Sequence, residues 1–364
     1  MRASRRLGAW ITGMALLAAC GGTAQPAPSA GSAAPALSPS SAAAPKASAA
    51  ASAGAKPSAA ASAQLTPVGI QISATGLAFF PLFVARDLGI FQKYGIDGKL
   101  LTMPPPTAIP AIQKGDLQFM STIGSAGRAN ERGLPIKVVD VMLSRPAIVL
   151  MGGPGIAKLD DLRGKVISAS TPDDTLTQLT IAMLDKRGLP ANSYQVLHTG
   201  TDNAAKLAAV QNGQAQAAVL DLVNWMQLED KLKPQGYTEL LNSMQEIEMP
   251  YSGLATSADF LSSKPDVVRR TVAAVVEATQ RSGSDKEGAT SVMVKDMSLT
   301  PDVASKLFDE LKQTSLWQTD GHATQAGMQF VFQLDQAALK LDKPPTESQI
   351  FDWSFLPSAG SASK

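Results

Sequence analysis

Cysteine and histidine are nearly missing from this chain. Of its 364 residues only Cys20 is a cysteine, and only His198 and His322 are histidines. A single cysteine excludes an intramolecular disulfide and any multi-cysteine metal site. The two histidines are far apart and lack metal spacing such as H-x-x-x-H. Charge of one sign is missing too: the net charge is +1, which gives no global field for nucleic acid or an acidic partner. Beyond the N-terminal region there is no apolar run of about 18 residues, the length that would span a membrane. No G-x-x-x-x-G-K loop and no G-x-S-x-G elbow is present, which argues against a transporter ATPase and a serine hydrolase. Gly152-Gly153-Pro154-Gly155 lacks the G-x-G-x-x-G pattern and reads as a turn. The expectation is a chain without catalytic residues, metal or cofactor.

What is present begins with Arg2, Arg5 and Arg6, followed by a short apolar segment over residues 7–19. A charged start and a short apolar core read as an export signal, not a spanning helix. The segment closes with Leu17-Ala18-Ala19-Cys20, which resembles a bacterial lipobox. On that reading residues 1–19 are removed and Cys20 receives lipid; an ordinary signal with a chance cysteine is the plainer alternative. Ser4-Arg5-Arg6-Leu7 touches the twin-arginine pattern only weakly, so the export route stays open. From residue 21 to about 66 the sequence is almost all Ala, Ser, Pro and Gly, with Lys46 and Lys56 its only charges. Such a segment buries too little apolar surface to offset its ordering entropy and reads as a disordered tether. Some 45 residues of flexible chain would reach about 35–40 Å.

The remaining body, about 67–356, is organised around residues 68–95. Val68, Ile70 and Ile72 alternate as in a half-buried strand. Ser73-Ala74-Thr75-Gly76 supply a polar turn, and an apolar helix with Pro81 in its first turn runs to Gly89. This unit returns as residues 165–172, again strand then hydroxyl-rich turn, with a helix stopped by Gly188. A second echo lies inside the first: Ala111-Ile112-Gln113-Lys114-Gly115 and Ala209-Val210-Gln211-Asn212-Gly213 each end a helix at a glycine before a strand. Two nested echoes favour a two-lobed protein. Strands are expected at 68–73, 98–103, 117–121, 136–142 and 147–151, then at 165–169, 194–198, 216–220 and 237–241. Residues 250–255 read as a strand returning to the first lobe, and the chain beyond is mostly helical. Strands alternating with helices argue for an α/β fold with mainly parallel sheets. Lobe I is expected at 67–148 and 251–356 and lobe II at 149–250, with hinge crossings near residues 145–150 and 248–253. Within the later helices Ser263 is read as a cap and Pro265 as an opening residue.

At this point the motifs resemble a known family. Residues 80–96, the Gln113-Lys114-Gly115-Asp116-Leu117 and Gln211-Asn212-Gly213-Gln214-Ala215 junctions, and residues 158–167 resemble periplasmic substrate-binding proteins of ABC importers. The branch is the one that includes nitrate, taurine, alkanesulfonate and thiamine-pyrimidine (NMT1/THI5-like) binders. The resemblance implies a type II-like periplasmic-binding-protein fold and a small organic or anionic solute held between the lobes. It implies as partners an ABC permease with its ATPase, the membrane through lipid on Cys20, and a monomeric chain in the cell envelope. Ligand contacts would come from interlobe loops: Ser73, Thr75 and Phe79, then Ser121, Thr122 and Ser125 in lobe I, and Ser170, Thr171, Asp173 and Thr175 in lobe II. Hydroxyls at helix starts are also plain N-caps, and Asp173 or Asp174 suits a helix N-terminus for the same reason. Arg145 could pair a carboxylate or sulfonate or simply serve the hinge. Asp221 suits an amine or aminopyrimidine donor. Trp225 and Tyr251 suit ring stacking or core packing. Fungal thiamine-pyrimidine synthases resemble the family in fold but carry a Cys-rich motif in the body, which this body lacks. A ligand sensor for a membrane receptor is the remaining alternative.

Overall fold

The computed structural model describes residues 64–172 and 174–358. The expected signal, Cys20 and the tether up to residue 63 lie outside the described residues, as does Asp173. Ten strands are described: β1 (Thr66–Ile72), β2 (Ile96–Thr102), β3 (Phe119–Met120), β4 (Ile136–Leu143), β5 (Ile148–Gly152), β6 (Val166–Ala169), β7 (Gln195–His198), β8 (Ala217–Asp221), β9 (Thr238–Asn242) and β10 (Ser252–Ser257). They form two five-stranded sheets, ordered β2-β1-β3-β10-β4 and β7-β6-β8-β5-β9. In the first, β1 runs parallel to β2 and β3, and β10 is antiparallel to β3 and β4. In the second, β6 is parallel to β7 and β8, and β5 is antiparallel to β8 and β9. Each sheet therefore has one antiparallel strand, and it is the strand that enters directly from the other sheet.

Glycine ends the helices where the repeats require it. Gly115, Gly188 and Gly213 take positive φ of 80°, 80° and 73°, the left-handed conformation that costs other residues energy. In the first sheet Val68, Ile70 and Ile72 are all buried. The helix Pro265–Ser284 covers this half with Val268, Val272 and Val275, each fully buried. Each such side chain contributes about 1.5–3 kcal/mol. Its N-cap is Lys264, not Ser263, because Ser263 still belongs to the preceding helix Ala258–Ser263. Thr300 caps helix Pro301–Lys312, its hydroxyl accepting from the Val303 N–H.

The chain passes from the first sheet to the second over residues 144–147 and returns over residues 247–251. The two passages are bonded to each other: Met249 N–H donates to the Ser144 carbonyl (2.7 Å) and Tyr251 N–H to the Leu143 carbonyl (2.9 Å). Two later helices also touch both halves. Helix Gln325–Leu339 buries Met328 and Phe332 among first-sheet residues such as Met120 and Val138, while Phe330 and Val331 pack against second-sheet residues. On helix Pro301–Lys312, Lys306 reaches Glu229 of helix Leu222–Leu232 (3.2 Å).

Where β10 enters beside β4 the ladder shifts register at Ser252/Gly253. A Cβ built on Gly253 would lie 1.9 Å from the Asp140 carbonyl oxygen, a backbone atom that cannot rotate away. Gly253→Ala is therefore expected to cost about 3 kcal/mol through overpacking, read as a lower urea midpoint with unchanged m-value. A loss below 1 kcal/mol would contradict this packing.

Candidate functional site

Helices that follow parallel strands of the two sheets approach each other. Helix Ile123–Glu131 follows β3, and helix Thr175–Lys186 follows β6. Between them the Arg128 guanidinium donates to Thr175 Oγ1 (2.6 Å). The Cβ position of Gly124 is 3.6 Å from the same oxygen, so a larger residue there would crowd the junction. Arg128 also pairs with Asp335 (3.3 Å), a nearly buried carboxylate on helix Gln325–Leu339. Burial pushes the Asp335 carboxyl up, and Arg128 opposes that shift. One turn further, Glu131 is pushed up to about 7 by burial and by the charge of Asp335. One of its oxygens is buried without a partner. Both acids line a small pocket with Gly127, Pro250 and Phe332.

Opposite, three helices begin at the carboxyl edge of the second sheet. Asp174 caps helix Thr175–Lys186, accepting from Leu176 N–H (2.9 Å) and Thr177 N–H (3.3 Å). Burial raises its carboxyl; those N–H groups, Lys206 and Arg128 oppose the rise. Asp202 caps helix Asn203–Gln211, and Asp221 ends β8. Asp221 accepts from the Asn203 amide (2.6 Å). Lys206, buried in the first helical turn, is pushed down by burial and held up by Asp221, Asp174 and Asp202. Tyr251, at the returning passage, has its hydroxyl raised well above the usual range by burial and by the charges of Asp221 and Asp174. Arg128, Thr175, Asp174, Lys206, Asp221 and Tyr251 thus share one electrostatic neighbourhood.

Not every residue expected from the sequence joins it. Ser170 stands nearby: its hydroxyl is buried without a partner, and its carbonyl accepts from His198 Nδ1 (2.5 Å). Ser125 is half-buried on the helix that carries Arg128, and Thr171 is exposed. Ser73 and Thr75 are exposed in the turn after β1. Ser121 and Thr122 serve the scaffold, their hydroxyls donating to the Gln71 backbone carbonyl (2.5 Å) and side-chain oxygen (3.1 Å). Arg145 directs its guanidinium to the Met244 carbonyl (3.0 Å) and towards Glu248 (3.5 Å), both beside the passages between the sheets. Phe79 and Trp225 are buried, 6% and 1% exposed. Trp225 belongs to an apolar cluster that runs from β5 and β8 to Leu307 and Phe308, and a ring buried there has no free face for stacking.

The sequence model of the family described as "NMT1/THI5 like" matches residues 77–289. The chain belongs to this family. Among solved structures, the periplasmic aliphatic sulphonate binding protein SsuA from Escherichia coli is similar at 17% identity with TM-score 0.63, over 79% of this chain and 97% of that one. The ligand binding component of an ABC-type import system from Staphylococcus aureus gives 17% and 0.60, over 80% and 97%. The periplasmic nitrate-binding protein NrtA from Synechocystis PCC 6803 gives 14% and 0.57, over 82% and 84%. At these identities the likeness fixes the fold: two sheets of mixed strands flanked by helices, as in periplasmic binding proteins. No curated protein matches the chain.

The Glu131 carboxyl yields a test of the NMT1/THI5-like chain's buried acids. A carboxyl raised from 4.5 to about 7 binds its proton more tightly in the folded state. Its favourable contribution is complete below the unfolded value and is lost as pH rises through the folded one. Glu131→Gln should therefore stabilise the fold at pH 8 by about 1 kcal/mol, the full shift being reduced for a half-exposed group. It should change little near pH 4.5. Equal effects at both pH values in urea unfolding would refute the assignment.

Proposed function

We propose that this chain is the solute-capturing component of an ABC importer, working outside the cytoplasm. Its lobes are residues 67–148 with 251–356, and residues 149–250. A small solute is enclosed between them and handed to a membrane permease driven by its ATPase. The chain acts as a monomer without cofactor and performs no chemistry on what it binds. One observation carries this reading: a direct bond from Arg128 to Thr175 joins the helices that follow parallel strands of the two sheets. Family membership and the sulphonate- and nitrate-binding neighbours support the solute class, small and organic or anionic. Against catalysis, His198 is bonded to a backbone carbonyl rather than to a nucleophile. Lipid on Cys20 would hold the body to the membrane through the Ala/Ser/Pro tether.

Solute should shift the chain toward its closed form only through contacts made by both lobes, since equal affinity for two states shifts nothing. A library of sulfonates, nitrate, pyrimidines, amino acids and aromatic acids should contain a compound that lowers the radius of gyration in small-angle scattering. At 100 times its dissociation constant it should add about 2.7 kcal/mol of stability. Ser125→Ala and Thr175→Val, one on each side, should both weaken it. Sensitivity on one side alone, or binding without contraction, would defeat interlobe capture.

The tether carries its own test. Cys20→Ala should leave the body folded and release it from the membrane fraction; retention after a salt wash would remove the lipid anchor.

A further inference from the structure

A carboxyl oxygen with nothing to bond lies one helical turn from the bond that joins the two halves. Glu131 Oε2 is buried without a partner. Glu131 stands three residues after Arg128 on helix Ile123–Glu131, the spacing that puts two side chains on one face. Arg128 directs one guanidinium nitrogen to Asp335 (3.3 Å) and the other to Thr175 Oγ1 (2.6 Å). Among the described residues its one ion pair is with Asp335. Glu131 and Asp335 line the same small pocket. One cation therefore stands beside two carboxyls and holds only one of them.

Nothing else in the pocket can match a charge on Glu131. Its other walls are apolar: Val138 from β4, Pro250 from the returning passage, Phe332 beside Asp335, and Ile350 with Phe351. Charged residues next to those walls are engaged elsewhere. Lys137 bonds the Ser348 and Gln349 carbonyls, Glu347 accepts from Trp353 Nε1, and Glu248 pairs with Arg145. Arg132, which also acts on Glu131, is exposed, and Asp174 acts on Arg128 from the facing half. A buried carboxylate is costly unless a cation meets it. Burial and the charge of Asp335 push Glu131 up to about 7, so its neutral form accompanies the bond to Thr175. Once ionised, it would compete with Thr175 for Arg128.

We propose that Glu131 is a positioning residue for closure of the two lobes. Neutral, it leaves Arg128 free to bond Thr175; ionised, it draws the guanidinium back into its own half. This rests on the solute-capture reading and names what regulates closure at that site. Closing then takes up one proton from solvent. If Glu131 has its ordinary 4.5 in the open form and about 7 in the closed one, the closed form keeps its full advantage below the lower value. It loses that advantage as pH rises through the upper one.

The test is small-angle scattering of the full chain, without solute, at pH 5 and pH 8. The ratio of closed to open forms should fall about tenfold or more over that range, read as a larger radius of gyration at pH 8. Glu131→Gln should keep the smaller radius at both pH values, and Thr175→Val should show the larger radius at both. If Glu131→Gln does not fold, Thr175→Val decides alone through loss of the pH response. An unaltered chain with the same radius at both pH values overturns the proposal. So does a Glu131→Gln chain that still expands, or a Thr175→Val chain that still responds to pH. A purely structural Glu131 would change the radius equally at both pH values, which also overturns it. Contraction with a solute but no response to pH keeps solute capture and removes the proton control. No change of radius with either removes both.

Discussion

The chain moves between its two sheets twice, and the two passages are bonded side by side. Beyond the Met249 and Tyr251 bonds, Ser243 Oγ donates to the Pro146 carbonyl (2.6 Å) and also accepts from Ile148 N–H (3.0 Å). Ser144 Oγ donates to the Ser315 carbonyl (2.6 Å), so the later helical segment is fixed to the same point. Buried backbone groups left unpaired here would each cost about 1–3 kcal/mol. The bonding therefore defines how β5 and β10 insert, each antiparallel, into the sheet it enters. It also places Tyr251 at the site, since Tyr251 is the last residue before β10.

Charge at the site follows from that placement. Three helices start at the carboxyl edge of the second sheet, and helix starts favour carboxylates. Asp174, Asp202 and Asp221 are the outcome. Three carboxylates so close would repel one another without cations. Lys206 supplies one from the same edge, and Arg128 supplies another from the facing half. Arg128 in turn is held by Asp335 on a helix formed more than 200 residues later. The same burial that makes these groups expensive also makes their attraction stronger than in water.

The strands were legible because alternation and glycine stops are local signals. Every expected strand is observed within two residues or so, from Thr66–Ile72 to Ser252–Ser257. The site was less legible. Hydroxyls at strand ends pointed to Ser170 and Thr175, yet the same pattern also marked Ser121 and Thr122, which bond Gln71 instead. Phe79 and Trp225 looked suited to a solute because aromatic residues near strand ends do; their burial depends on helices far along the chain. Arg128 and Lys206 gave no signal. A lone basic residue on a short helix reads as solvent-facing, and only the approach of Asp335 or Asp221 reveals otherwise. The nested repeat offered one clue, since it placed Lys206 on the helix that ends at Gly213.

Opening the proposed trap would be opposed by the apolar cluster that joins β5 and β8 to Leu307 and Phe308 and by weaker contacts whose strengths can be ranked. The Glu229–Lys306 pair is solvent-exposed on its lysine side, so it adds about 0–1 kcal/mol. Phe330 and Val331 are only partly buried against the second sheet, so helix Gln325–Leu339 could slide rather than detach. The Arg128–Thr175 bond involves a charged donor and contributes about 1.5–3 kcal/mol net. The polar and partly buried terms together amount to a few kcal/mol. A solute that adds contacts to both sides then needs only a comparable differential affinity to hold the chain shut. A weaker bridge would leave capture to the solute alone, and a stronger one would close the site before solute entered.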